Sequence, residues 1–143
     1  MVTVTGILDE HTDWRELSGL QAASITLDLE GVRRITSYGV QGFMAACRLL
    51  PPTTRVQWIR ASVPMVLQLG MIANFAGRAV VRTYLAPYWC PSCREERAIE
   101  LDGGVALAAA PPALCERCGG RLEFEDASAD YFAWTLEGHA TSP

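Results

Sequence analysis

Four of the five cysteines fall in two pairs, "CPSC" with Cys90 and Cys93 and "CERC" with Cys115 and Cys118, separated by twenty-one residues. A Cys-x2-Cys knuckle turns two sulfurs toward one point, and two knuckles together supply the donor set of a tetrahedral metal ion. The chemistry this predicts is structural binding of one zinc ion per chain, because four thiolates leave no open position for a reacting water. Gly119 follows the second knuckle with the permissive backbone such a turn needs, whereas Arg94 holds the same place after the first and predicts a little strain there. Two disulfides or inert thiols are the competing reading, and a cytoplasmic location weighs against disulfides. Cys47 stands apart, on the apolar face of a predicted helix, and reads as a core thiol.

The second candidate is Ser37 in "RRITSYGVQGF", where a strand gives way to a helix. Its hydroxyl has four readings: nucleophile, phosphate-binding group, phosphorylation switch or helix cap. A nucleophile needs a base, and the chain has only His11 and His139. His11 lies in "LDEHTD", with Asp9 or Asp13 as conceivable orienting acids, but "TSYG" lacks the Gly-x-Ser-x-Gly elbow of serine hydrolases. No glycine-rich phosphate loop surrounds it either. The expectation is therefore a protein that is not an enzyme, with Ser37 as a phosphorylation candidate or only a helix cap.

The elements that must position these residues follow from periodicity. "MVTVTG" and "SITLDLEGV" alternate as strands do, with Ile25, Leu27 and Leu29 on one side. Thr12 or Asp13 caps a short helix carrying Trp14, Leu17 and Leu20. Val40, Phe43, Met44, Cys47 and Leu50 form the apolar stripe of a helix that starts near Ser37 and stops at Pro51-Pro52. "RVQWIRA" is a further strand, Ser62 caps a helix through "VPMVLQLGMI", and "AVVRTYLA" is a last strand of this series. Strands alternating with amphipathic helices imply an α/β layer with helical crossovers.

Beyond about residue 87 the pattern changes to paired cysteines, short β-like runs and the linker "ALAAAPPAL". Charge divides at the same place: residues 1–86 hold eight arginines against six acids, and residues 87–143 hold four against ten. Two units are expected, 1–86 and 87–143. The second carries a net −6, and four thiolates with one zinc dication take it to −8. Phosphate binding demands the opposite sign, so nucleic acid is not an expected partner. The longest uncharged run, Ala61 to Gly77, is too short and too polar to span a membrane, and the opening residues lack the features of a secretory signal, so the expected compartment is the cytoplasm. Tyr131, Phe132 and Trp134 near the end predict packing against the cysteine-bearing unit.

Two resemblances attach to these segments. Residues 88–126 resemble a zinc ribbon, with "EERAIELDGGVALA" as a hairpin between knuckles and "DGG" at its tip. Residues 1–86, through "TGILDEHTDW", "LDLEGVRRITSYGVQGFMAACRLL" and "ASVPMVLQLGMIANF", resemble a STAS domain, the fold of anti-sigma factor antagonists and sulfate-transporter tails. In that family an Asp-Ser-Ser-Gly motif closes a strand and opens a helix, and its first serine is phosphorylated by a partner kinase. The resemblance places that serine at Ser37 and the glycine at Gly39, with Thr36 where the family has aspartate and Tyr38 where it has a small residue. It implies a partner-binding surface of Thr36, Ser37, Tyr38 and Gly39, and an anti-sigma-type serine kinase as the protein partner. The expected function is a non-enzymatic regulatory interaction module; the alternative is a structural adaptor in which Ser37 only caps its helix and the ribbon mediates assembly.

Overall fold

Alternation of buried and solvent-facing side chains along "SITLD" and "RVQWI" builds the centre of the molecule: Ile25 and Leu27 on one strand and Val56 and Trp58 on the next all turn inward. The computed structural model describes residues 1–125 and 130–140, the side chains of 138–140 excepted, so parts of the expected 87–143 unit lie outside the described residues. It is a mixed α/β protein. The elements are β1 (Val2–Thr3), β2 (Gly6–Leu8), α1 (Arg15–Ser18), β3 (Ser24–Asp28), β4 (Val32–Ile35), α2 (Ser37–Arg48) and β5 (Arg55–Ile59). They continue as α3 (Val63–Met71), β6 (Val80–Val81), β7 (Thr83–Cys90), β8 (Glu95–Asp102), β9 (Glu123–Phe124) and α4 (Ala133–Ala140).

Strands β1, β3, β5 and β6 form a parallel sheet in that order, and β2 pairs with β4 in a second parallel pair. The crossovers are helical as expected: α2 lies between β3 and β5, and α3 between β5 and β6. The inward face of α2 buries Val40, Phe43 and Ala46, with Met44 and Cys47 half-buried beside them and Leu50 buried just past the helix end. Phe43 meets Trp58 edge-on at 5.6 Å and Phe75 at 5.7 Å, so one aromatic cluster locks helix to sheet. Among the described residues no helix is long and apolar enough to cross a membrane.

Two expectations change at the junction. "AVVRTYLA" is not one strand: after β6 the backbone N–H of Arg82 bonds to the Trp58 carbonyl at 2.9 Å, and the chain then leaves the parallel sheet. It continues as β7, which starts beside the end of β5, where Leu85 N–H reaches the Ala61 carbonyl at 2.9 Å, and runs to the first cysteine without a break. The expected 86/87 boundary falls inside this strand. Tyr84, Ala86, Tyr88 and Cys90 all turn inward along it, and the buried side chains form a single cluster from Leu8 to Phe132.

The antiparallel sheet has the order β8-β7-β9. The hairpin turns at the first knuckle itself, joining β7 to β8 over eight paired residues from Thr83↔Asp102 to Cys90↔Glu95. "DGG" is therefore not a hairpin tip between the knuckles. It ends β8 at the far end of the sheet, with Gly103 N–H bonded to the Arg82 carbonyl at 2.8 Å. β9 is short for a local reason: Pro87 accepts from Glu125 N–H at 2.9 Å but has no N–H to return, so the ladder stops at Phe124. Tyr131 and Phe132 are buried as expected, and the Tyr131 hydroxyl donates to the Leu85 carbonyl at 2.6 Å. Trp134 packs edge-on to Tyr84 at 4.9 Å.

Candidate metal centre and the Ser37 surface

Cys90 closes β7, Cys93 lies in the turn that follows, and Cys115 and Cys118 flank a second turn brought up beside the first. Their four Sγ atoms all lie within 4.8 Å of one another, with Cys90–Cys118 at 3.5 Å and Cys93–Cys115 at 4.0 Å. Four sulfurs about 2.3 Å from a shared tetrahedral ion stand roughly 3.8 Å apart, so this spacing fits one metal ion. It does not fit a disulfide, whose sulfurs are about 2.05 Å apart, and all five cysteines are free. Cys47 lies outside the cluster in α2, where burial pushes its thiol up to about 11.

The two knuckles repeat one backbone design. In the first, Arg94 N–H bonds to the Cys90 carbonyl at 2.8 Å; in the second, Gly119 N–H bonds to the Cys115 carbonyl at the same 2.8 Å. Both turns need a left-handed residue there, and Gly119 (φ 74°) supplies it freely while Arg94 (φ 55°) does so against its Cβ. Backbone N–H groups also point at sulfur, Cys93 N–H to Cys90 Sγ at 3.4 Å and Gly120 N–H to Cys118 Sγ at 3.3 Å. Arg94→Gly is expected to raise stability by about 0.5–1 kcal/mol, the relief of left-handed strain net of the added freedom of the unfolded chain. Thermal melts of the metal-loaded variant check it; an unchanged or lower melting temperature contradicts it.

Sequence reasoning missed Arg97. It pairs with Glu95 at 2.7 Å and stands against Cys115, since β8 registers it opposite Tyr88 on the inward face. The Cys115 thiol is held below its ordinary range, first by the Cys118 backbone N–H and less strongly by Arg97. Cys93 is pushed the other way, first by its hydrogen bond to Cys118. A thiol held low beside a guanidinium is a natural first ligand, and metal binding releases thiol protons. The available signal was the two-residue period of "EERAIELD", which puts Arg97 with the inward residues.

At the other candidate, the cap is Thr36 and not Ser37. Thr36 is extended (φ −91°, ψ 172°), and its Oγ1 accepts from Gly39 N–H at 3.2 Å. Its N–H also bonds to the Leu8 carbonyl at 2.9 Å, so strand pairing fixes it one residue ahead of the helix. Ser37 thus becomes the first helical residue, exposed, and among the described residues its hydroxyl makes no hydrogen bond. Tyr38 is 63% exposed beside it. Gly39, expected on the binding surface, is buried: a Cβ there would lie 2.0 Å from the Leu8 carbonyl oxygen, so the glycine lets α2 seat on β2. A shallow depression of about 390 Å³ adjoins Ser37, lined by Ile35, Val40, Gln41, Gln68 and Ile72.

The ring of His11 is exposed and faces Glu10 at 3.5 Å, Asp9 accepts from the His11 backbone, and Asp13 pairs with Arg15 at 2.7 Å. Ser62 stands at the start of α3 without a side-chain cap bond, and among the described residues its buried Oγ has no partner. No protein-family model, curated protein or solved structure matches the chain.

Proposed function

We propose that the chain is a non-enzymatic regulatory interaction module, with a STAS-like fold that docks a protein partner around Ser37 and a structural zinc ion that holds the cysteine-bearing sheet. The observation that carries this reading is the uncommitted Ser37 hydroxyl: it is exposed in the first turn of a twelve-residue helix, and Thr36 has taken over the capping role. A phosphate on Ser37 meets the unpaired N–H groups and partial positive charge of that helix end, so the fold tolerates it while the surface gains about −1.5 to −2 charges. Tyr38 and the adjoining apolar depression give a partner something to grip, and that partner is an anti-sigma-type serine kinase. Zinc fits the four-thiolate donor set and its spacing, and with every position taken its role is structural.

The test is a set of titrations with the kinase isolated from the native cell, alongside melts of each variant. Ser37→Asp is expected to weaken binding about 10-fold by placing a charge at the docking surface, with stability nearly unchanged. Ser37→Ala keeps both binding and stability, because the cap is elsewhere, whereas Thr36→Ala loses about 1 kcal/mol of stability. Equal affinity for wild type and Ser37→Asp removes the reading.

A further inference from the structure

The register of the antiparallel sheet sets three side chains in one row on its outward face: Glu96 of β8, Trp89 of β7 and Glu123 of β9. Direct cross-strand neighbours share a face with Cβ atoms about 5 Å apart, so the indole is flanked by a carboxylate on each side. The opposite face of β7 carries Tyr84 and Tyr88, which pack against Trp134, Phe132 and Phe124. Trp89 has no such company. Of the four tryptophans it alone makes no ring contact among the described residues, and it is not packed against the buried cluster. Glu96 and Glu123 are both exposed, and among the described residues neither enters an ion pair. The next rows along β7 are Pro87 with Ala98, then Leu85 with Glu100, the last lying in the field of Arg60.

We propose that the row Glu96–Trp89–Glu123 is a receptor for an arginine of a partner protein, presented on an extended segment whose neighbouring same-face side chains are apolar. Charge complementarity selects the occupant: two exposed carboxylates, unpaired among the described residues, beside a half-buried indole match a planar cation that stacks on the exposed part of the ring and forks to carboxylate oxygens. Arginine does both, while lysine offers only a point charge. The period of an extended segment then sets its following outward side chain about 6.7 Å on, over Pro87 and Ala98, and the next over Leu85. This surface is independent of Ser37, so neither proposal depends on the other.

The probe is a capped peptide, Ser-Arg-Ser-Leu-Ser-Leu-Ser, titrated into the zinc-loaded full chain and followed by calorimetry and by the indole N–H resonance of Trp89, assigned with Trp89→Phe. The expected result is a saturable shift of that resonance, with affinity reduced at least about 10-fold in Glu96→Gln/Glu123→Gln and reduced several-fold when the peptide arginine becomes lysine. Glu10→Gln/Glu16→Gln, equal in charge change and both exposed elsewhere, keeps wild-type affinity. The proposal is overturned if the control pair weakens binding as much as the row pair, which means nonspecific attraction to an acidic protein. It is overturned equally if the Trp89 resonance stays still at saturating peptide, or if sedimentation shows the free chain self-associating through this face.

Discussion

Cys115→Ser is expected to reduce metal content from about one ion per chain to a trace, with affinity for zinc down at least about 100-fold. Three thiolates leave an open position that water competes for, and the lost ligand is the one beside Arg97 whose thiol is held below its ordinary range. The structural effect should not stop at the knuckles. Cys90 ends the same strand whose Tyr84 and Tyr88 sit in the common core, so loosening the turn at Cys90–Arg94 loosens the packing of Trp134 and Phe124 as well. Separate cores would have let the first half survive intact; a continuous one predicts a single transition shifted down for the whole chain. Elemental analysis and thermal melts followed by both far-ultraviolet dichroism and tryptophan emission check this. Full zinc content in the variant, or a metal-free protein melting like the loaded one, contradicts it.

The second large effect is Gly39→Ala, with an expected loss of at least about 2 kcal/mol. In an open helix this change normally gains up to about 1 kcal/mol through propensity. Here the new Cβ lands 2.0 Å from the Leu8 carbonyl oxygen and 2.5 Å from its carbon, atoms of backbone that cannot turn aside. The same carbonyl accepts from Thr36 N–H, so relieving the clash breaks the strand pairing that sets the cap. Gly70→Ala in α3 is the control: the nearest atom to its Cβ is the Asp130 carbonyl at 4.0 Å, and no loss is expected. Urea unfolding of the two variants separates them, and equal midpoints would refute the contact argument.

What could be read from the residues was whatever depends on near neighbours. The stripe from Val40 to Leu50 and the alternation of Ile25 and Leu27 are local periodicities, and each is where the structure buries it. The cysteine spacing is also local within each knuckle, and it identified the four residues whose sulfurs converge. The errors share a different cause. Thr36 and Ser37 are adjacent hydroxyls with similar capping preference, and the choice between them is made by Leu8, twenty-eight residues away. "AVVRTYLA" divides at Arg82 because of a bond to Trp58, not because of anything in its own composition. "DGG" carries a good turn signal, yet eight paired residues of β7 and β8 fix which turn closes the hairpin and leave Gly103 wedged against the Val81 carbonyl.

The uninterrupted course of β7 also decides how this gene can be cut. A fragment ending at residue 86 would terminate in mid-strand, its Tyr84 stripped of its neighbours Phe132 and Trp134, and a fragment beginning at 87 would start with a proline that has lost the strand behind it. Neither piece carries a complete edge, so recombination or domain shuffling at this point yields two sticky ends in place of two modules. The cysteine-bearing turn is thus joined to the α/β layer through one unbroken strand, and a cut at 86 divides that strand.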